Sequence, residues 1–191
     1  MARLNTCSDE ELTAAMVDRL VSHTGSRKIA PVFREMGNSP TALDAYLTLE
    51  QSLSRCSLSA REIEAIKLLV SQINRCDFCL SIHTVKSKAA GINPDQQLAI
   101  RRLSEGNLSG KDGIEDARLA AILHLVVGFF RHPGTVEKKI LDDAKLAGLN
   151  DANLMDIVAA VSTIFLTNIF NHINDTELVY PEAPALSASD S

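Results

Sequence analysis

Two cysteines, a histidine and a carboxylate stand close enough along this chain to act together in one piece of chemistry. They are Glu64, Cys76, Cys79 and His83. Eleven residues separate Glu64 from Cys76, two separate the cysteines, and three separate Cys79 from His83. Steps of three, four and seven residues return to one side of a helix, so a helix over residues 76–90 puts both thiols and the imidazole on one face. A free thiol with a pKa near ~8.5 is only slightly ionised at neutral pH, and the thiolate is the nucleophile. A helix N-terminus favours that anion through its free backbone donors and dipole. His83, one turn beyond Cys79, can accept or relay the thiol proton, while Glu64 can orient His83 or take the proton through water. The partner cysteine can then capture the oxidised sulphur as a disulfide. Cβ atoms three apart on a helix lie ~5–6 Å from one another, whereas a disulfide needs about 3.8 Å. The first turn must therefore adjust, which is easiest if Cys76 sits at the start of the helix. In this reading Cys79, nearer His83, attacks and Cys76 resolves.

The elements that position these residues read as helices throughout. Leu, Ala and Ile are abundant, Trp is absent, and period-two alternation is hard to find, so the fold class is all-α. A first helix is expected from Ser8 to about His23, capped by Ser8 or Asp9, with a short one over residues 29–36 and a third opening at Ser39-Pro40. Ser59 and Glu62 match a capping box, and the helix they open is apolar over most of its circumference, which marks it as central. Glu64 lies within that surface, where a carboxylate is costly unless partnered; Lys67 and Arg61 are the unremarkable partners and the cysteine–histidine face the interesting one. Gly91 suits the left-handed position after the motif helix, and Asn93-Pro94 caps the next. Residues 104–113 read as a loop, followed by helices from about Glu115 to Arg131, from Val136 to Ala147, and from Asn150 or Asp151 to about Ile173, with a break at 132–134. The tail from Tyr180 is expected to fray or to strap onto a neighbour.

An internal echo accompanies this order. Ala90-Gly91-Ile92-Asn93 recurs 57 residues later as Ala147-Gly148-Leu149-Asn150, and the offset sets Ala121 opposite Glu64, Pro133 opposite Cys76, Val136 opposite Cys79 and Ile140 opposite His83. That suggests a duplicated helical unit in which only the first copy keeps polar chemistry. The chain is then one domain over 1–191: N-terminal helices over 1–57, a motif-bearing unit over 58–103, a second unit over 112–174 and a flexible tail over 180–191.

The net charge of −5 with 19 scattered basic residues offers no footprint for nucleic acid. The apolar stretch Ala117–Phe130 is interrupted by Arg118 and His124 and is too short to span a bilayer, and no signal-peptide pattern opens the chain. A cytoplasmic protein without membrane contact is expected. There, four cysteines point to redox or metal chemistry more than to structural disulfides.

The motif Glu-x11-Cys-x2-Cys-x3-His, ahead of a helix ending in Ala-Gly, resembles the AhpD-like alkylhydroperoxidase branch of the carboxymuconolactone decarboxylase superfamily. The flanks agree: LSAREIEAI before the motif, VSQIN leading into Cys76, and FLTNIFNHIN near the C-terminus, so that the resemblance covers roughly residues 28–182. It implies an all-helical fold, homo-oligomers (trimers or hexamers) and thiol-dependent reduction of peroxides; a hydroperoxide substrate and a dithiol or protein reductant to restore the thiols are expected, with no cofactor or metal. Glu64, Cys76, Cys79 and His83 match the family's proton relay and thiols. One position departs: members with the fullest relay carry a second histidine just before the second cysteine, where this chain has Phe78. The decarboxylase branch generally lacks the cysteine pair.

Two other readings stay open. Cys76, Cys79 and His83 with Glu64, Cys56 or His172 would make a zinc site in a structural oligomer, and a decarboxylase-like enzyme would carry the cysteines as vestiges. Cys7 and Cys56 read as packing residues and His124 as a satisfied core histidine. His172 leaves open a place near the active site, at a subunit interface or in a structural hydrogen bond.

Overall fold

The computed structural model describes residues 2–106, 113–131 and 134–186. Among these there are nine α-helices and no strand: α1 (Ala14–Thr24), α2 (Pro31–Met36), α3 (Pro40–Leu53), α4 (Ala60–Ile73), α5 (Asp77–Ala89), α6 (Pro94–Arg102), α7 (Ala117–Arg131), α8 (Lys138–Leu146) and α9 (Asp151–Asn174). A 3₁₀ turn, Leu103–Glu105, closes on Gly106 and opens the loop expected at 104–113; the rest of that loop, His132-Pro133 and the end of the tail lie outside the described residues.

α4 is the centre, packed against α5, α6, α7 and α9. Its capping box forms as the sequence predicts: Ser59 Oγ accepts from the Glu62 N–H, and the Glu62 carboxylate accepts from the Ser59 N–H at 2.7 Å. The whole run from Ala65 to Ser71 is buried, so the helix cannot keep one wet face. Each large apolar side chain buried this way contributes about 1.5–3 kcal/mol, and among them α4 buries one cation, Lys67, beside a carboxylate. That carboxylate is Glu50 of α3 at 2.7 Å, not Glu64. With Lys67 bound elsewhere, Glu64 is left for a different group.

A second apolar cluster joins α1–α3, with Leu20, Leu43 and Leu47 at its heart and Leu166 and Phe170 of α9 against it. The first helix starts later than its acidic opening suggests. Thr13 caps α1, while Ser8 donates its N–H to the Glu11 carboxylate at 2.7 Å in a separate turn. A Ser-x-x-Glu pattern can close a turn as readily as it caps a helix, and here the apolar stripe begins only at Leu12 and Met16. The N-terminal segment is pinned by Asn174, whose carbonyls accept from the Arg3 and Leu4 N–H groups and whose amide donates to buried Glu35 at 2.6 Å. The described part of the tail lies on its own chain: Ala183 packs against the core and the Pro184 carbonyl accepts from Arg101 at 2.6 Å.

α9 is long and apolar enough by length and composition to cross a membrane. In the fold it packs along α3, α4 and α5 and buries Asn153, Asn168, Asn171 and Asn174. Amides buried at that density need partners. Asn74 donates to Asn168 Oδ1 at 2.9 Å and Glu35 accepts from Asn174, while Asn168 Nδ2 and Asn171 Oδ1 make no hydrogen bond of normal geometry among the described residues.

Candidate active site

The α4–α5 junction places the four motif residues. Asn74 ends α4, Arg75 takes the left-handed conformation (φ 54°), and the Cys76 N–H bonds back to the Ser71 carbonyl at 3.0 Å while Arg75 N–H reaches Gln72. This is the Schellman pattern, with Arg75 where glycine is usual. A non-glycine residue there costs on the order of 1 kcal/mol. The turn is tight enough to make Cys76 the N-cap of α5, which runs from Asp77, so Cys79 falls in its first turn and His83 one turn further. Both thiols are free and buried, with Cys76 2% and Cys79 4% exposed.

Glu64 and His83 meet. The His83 Nδ1 lies 2.7 Å from the Glu64 carboxylate, and both side chains are largely buried. Burial pushes the Glu64 carboxyl up, but the hydrogen bond from His83, with Lys67 and Lys86 beyond, outweighs it and leaves it below the ordinary carboxylate value. For His83, burial is the larger influence and holds the imidazole below its ordinary value despite Glu64. The pair is thus a carboxylate and a neutral imidazole. Its Nδ1 carries the proton given to Glu64, which leaves Nε2 as the basic nitrogen.

The two sulphurs are made unequal by their surroundings. Cys79 is pulled down to about 7, first by the hydrogen bond from the Cys76 thiol and, against burial, by amides and a hydroxyl of α9. Asn171 Nδ2 lies 3.1 Å from the Cys79 sulphur and also donates to the Thr167 carbonyl at 2.8 Å. A carbonyl only accepts, so that second bond fixes the amide with its protons toward the sulphur. Thr167 Oγ1 stands 3.9 Å from the same sulphur. Asn168, whose Nδ2 is buried without a hydrogen bond of normal geometry, adds its amide. Cys76 is pushed up by its bond to Cys79, by burial and by the Cys79 charge. Among the described residues no direct hydrogen bond joins His83 to Cys79. The thiolate is held by α9, and the histidine's bonded partner is Glu64.

Cys79 and His83 line a cavity of about 550 Å³. Its walls include Phe33, Tyr46, Phe78, Ile82 and Ile164, with Glu35, Glu50, Lys86 and His23 among the polar groups away from the sulphur. The His23 ring meets Phe33 and Tyr46 edge-on at 5.9 Å each. Tyr46 is raised well above its ordinary value by burial and by neighbouring Glu50, so its hydroxyl stays neutral. Phe78 occupies this wall as an apolar surface.

Sequence reasoning therefore finds Glu64, Cys76, Cys79 and His83, which the fold brings together, and misses His23, Tyr46, Glu50 and the α9 groups Thr167, Asn168 and Asn171. The signal for the α9 groups is present in part: three asparagines at 168, 171 and 174 repeat every third residue in an apolar helix, where each needs a buried partner. Cys7 sits in the N-terminal apolar cluster and Cys56 is half-buried beside the Leu58 carbonyl; neither joins the site. His124 is half-buried in α7. His172 is exposed and borders a cleft at Cys76 rather than the main cavity. Among the described residues no set of three or more His, Cys, Asp or Glu side chains is gathered for a metal, so the zinc arrangement of Cys76, Cys79 and His83 is not formed here.

Residues 40–124 match the Carboxymuconolactone decarboxylase family, a stretch that contains the whole motif. The fold is shared with the AhpD core of an uncharacterized peroxidase-related protein from Ralstonia eutropha (TM-score 0.76, 18% identity, covering 93% of this chain and 92% of that one). A peroxidase-related protein from Silicibacter is similar at TM-score 0.68 and 19% identity, covering 93% and 94%. The debrominase Bmp8, solved as a cysteine-to-alanine variant with 2,3,4-tribromopyrrole, is similar at TM-score 0.70 and 13% identity, covering 92% and 91%. A comparison with curated proteins finds no match. Residues 40–124 are thus similar to that family, and the fold is the all-helical one of the AhpD-like structures.

Proposed function

We propose that this protein is a thiol-dependent peroxidase that reduces organic hydroperoxides through Cys79 and Cys76. The observation that carries the reading is a donor-stabilised Cys79 sulphur and His83, itself bonded to Glu64, lining one cavity. His83 Nε2 takes the Cys79 proton, and the imidazolium formed is stabilised by the Glu64 carboxylate. The thiolate attacks the outer oxygen of the hydroperoxide. The O–O bond breaks, Cys79 becomes a sulfenic acid, and the departing alkoxide leaves as alcohol with the proton from His83. The Cys76 thiol then attacks the oxidised sulphur, forming the disulfide and releasing water. One hydroperoxide is reduced to an alcohol and water, and two thiols are oxidised.

A cavity of about 550 Å³ with three aromatic walls is far larger than hydrogen peroxide needs, which favours an organic hydroperoxide. Phe78 supplies apolar surface and no proton path, so the relay rests on Glu64 and His83 alone. A dithiol or protein reductant restores the thiols, which suits a reducing compartment such as the cytoplasm. Peroxide consumption with dithiothreitol tests the reading: wild type turns over, while Cys79→Ser, Cys76→Ser and His83→Ala do not match it. Equal rates in all four defeat it.

Self-assembly into a trimer or hexamer belongs to the same proposal. Met155, Val158, Phe165, Ile169 and Ile173 are exposed along one side of α9 at steps of three, four and seven, an apolar stripe of the kind that pairs helices. Light scattering on wild type and Phe165→Glu reads the assembly. A trimer or hexamer that Phe165→Glu weakens supports it, and a monomeric wild type overturns it.

A further inference from the structure

The two sulphurs open onto different spaces. Cys79 lines the main cavity and Cys76 does not; Cys76 lines a second cleft of about 460 Å³ and Cys79 does not. The partition between them is shared by both linings: Phe78, Asn171 and residues 176–178, where the chain folds back after the left-handed turn at Asp175 (φ 52°). Their surfaces differ as well. The main cavity is walled mainly by aromatic and aliphatic side chains, with Glu50, Lys86 and His23 among them, whereas the cleft is mainly polar, bordered by Arg75, Asp77, His172 and Asp175. Resting on the redox reading above, we infer that the cleft is the entry site for a polar thiol reductant, which attacks the Cys76 sulphur of the disulfide from the side opposite the peroxide cavity.

Exchange chemistry leads to the same sulphur. An incoming thiolate takes one sulphur of a disulfide and expels the other, and the better-stabilised thiolate is expelled faster. Asn171 Nδ2 at 3.1 Å and Thr167 Oγ1 at 3.9 Å face Cys79, while Cys76, the N-cap of α5, has no side-chain capping bond. Charge therefore collapses onto Cys79, and the nucleophile must arrive at Cys76, in line with the breaking S–S bond and away from Cys79. The cleft is the space on Cys76 that the main cavity does not include. In the first step a thiolate bonds to Cys76 Sγ as the S–S bond breaks, and Cys79 leaves as thiolate. A second thiol, or the second sulphur of a dithiol, then displaces Cys76 from the mixed disulfide. The reductant departs oxidised and Cys76 takes a proton from solvent. Oxidant and reductant then approach from opposite sides of the partition.

The test separates this inference from the peroxidase reading by forming the Cys76–Cys79 disulfide with diamide instead of peroxide. The oxidised full-length protein is treated with 2-mercaptoethanol, freed thiol is trapped with N-ethylmaleimide, and the tryptic peptide from Cys76 to Lys86 is sequenced by mass spectrometry. The expected product carries mercaptoethanol on Cys76 and maleimide on Cys79; the reverse placement, or no disulfide between the two, overturns the inference. His172→Trp, which fills the cleft from exposed α9 surface, is expected to slow reduction by 2-mercaptoethanol roughly tenfold or more, with the reaction of the reduced protein with cumene hydroperoxide unchanged. Unchanged reduction, or slowing at the peroxide step instead, overturns it. Loss of all peroxide consumption in wild type, with mercaptoethanol still mapping to Cys76, sinks the peroxidase reading alone.

Discussion

The helix pairs α4–α5 and α7–α8 answer the same architectural demand with opposite chemistry. α5 and α8 end alike: Gly91 and Gly148 take φ of 86° and 85°, and Ile92 and Leu149 donate back to Ser87 and Ala144 in Schellman turns. Asn93 and Asn150 then cap the next helix in capping boxes. Between these shared ends the pairs diverge. Where the first carries Glu64 and His83 in a buried hydrogen bond, the matching positions of the second are Ala121 and Ile140. Gly128 of α7 lets Ile140 and Val136 close in on it, so that contact is apolar. A dry apolar contact holds two helices at least as well as a buried charged pair, because the pair must first repay its desolvation. In the proposed function the polar version serves the thiol chemistry, and the comparison can be broken or sharpened at several points.

The largest effect is expected from Cys79→Ser, which removes the proposed nucleophile and should lower peroxide turnover by on the order of 10³-fold or more, read by peroxide loss under dithiothreitol. Next is His83→Ala, which strands the Glu64 carboxylate in a buried setting. A loss of about 3 kcal/mol in denaturant unfolding should accompany a roughly 10²-fold loss of turnover. The double variant Glu64→Ala/His83→Ile copies the second pair into the first. It should unfold within about 1 kcal/mol of wild type while remaining inactive, and a stability loss as deep as that of His83→Ala would show that the pair is structural.

A smaller effect concerns pH. Iodoacetamide labelling of Cys79 should rise through a midpoint near 7, because the thiol is protonated and unreactive below that value and ionised above it. Its folded value lies below the free value, so the ionised thiol stabilises the fold fully above ~8.5 and loses that contribution as pH falls through 7. Asn171→Leu removes one donor and should move the midpoint upward by about one unit. The smallest effect is expected from Gly128→Ala. An added Cβ would meet Ile140 Cδ1 at 3.1 Å, and the helix gains up to about 1 kcal/mol in propensity, so the net change in thermal unfolding should be near zero with activity untouched.

Much of this is legible in the chain. The Ser59–Glu62 box, the turns at Gly91 and Gly148 and the Asn93 and Asn150 caps are contacts within a few residues, and local sequence dictates them. The start of the first helix is not legible in the same way, because Ser8 and Glu11 satisfy one another in a turn without nucleating a helix. The partner of Lys67 escapes a local reading because Glu50 belongs to another helix, and no spacing rule reaches across α3 and α4. The α9 groups at Thr167 and Asn171 lie about ninety residues from Cys79, and only packing brings them to it.

By itself the sequence determined the helical elements, the caps at Ser39, Ser59, Asn93 and Asn150, and the motif of Glu64, Cys76, Cys79 and His83, because helical periodicity, capping and motif spacing are all local along the chain. Only the tertiary structure decided which sulphur is stabilised, which groups wall the cavity, and that Cys76 and Cys79 face separate spaces. Those outcomes depend on α9 and its fold-back crossing α5, and desolvation and hydrogen-bond direction are set by neighbours in space rather than in sequence.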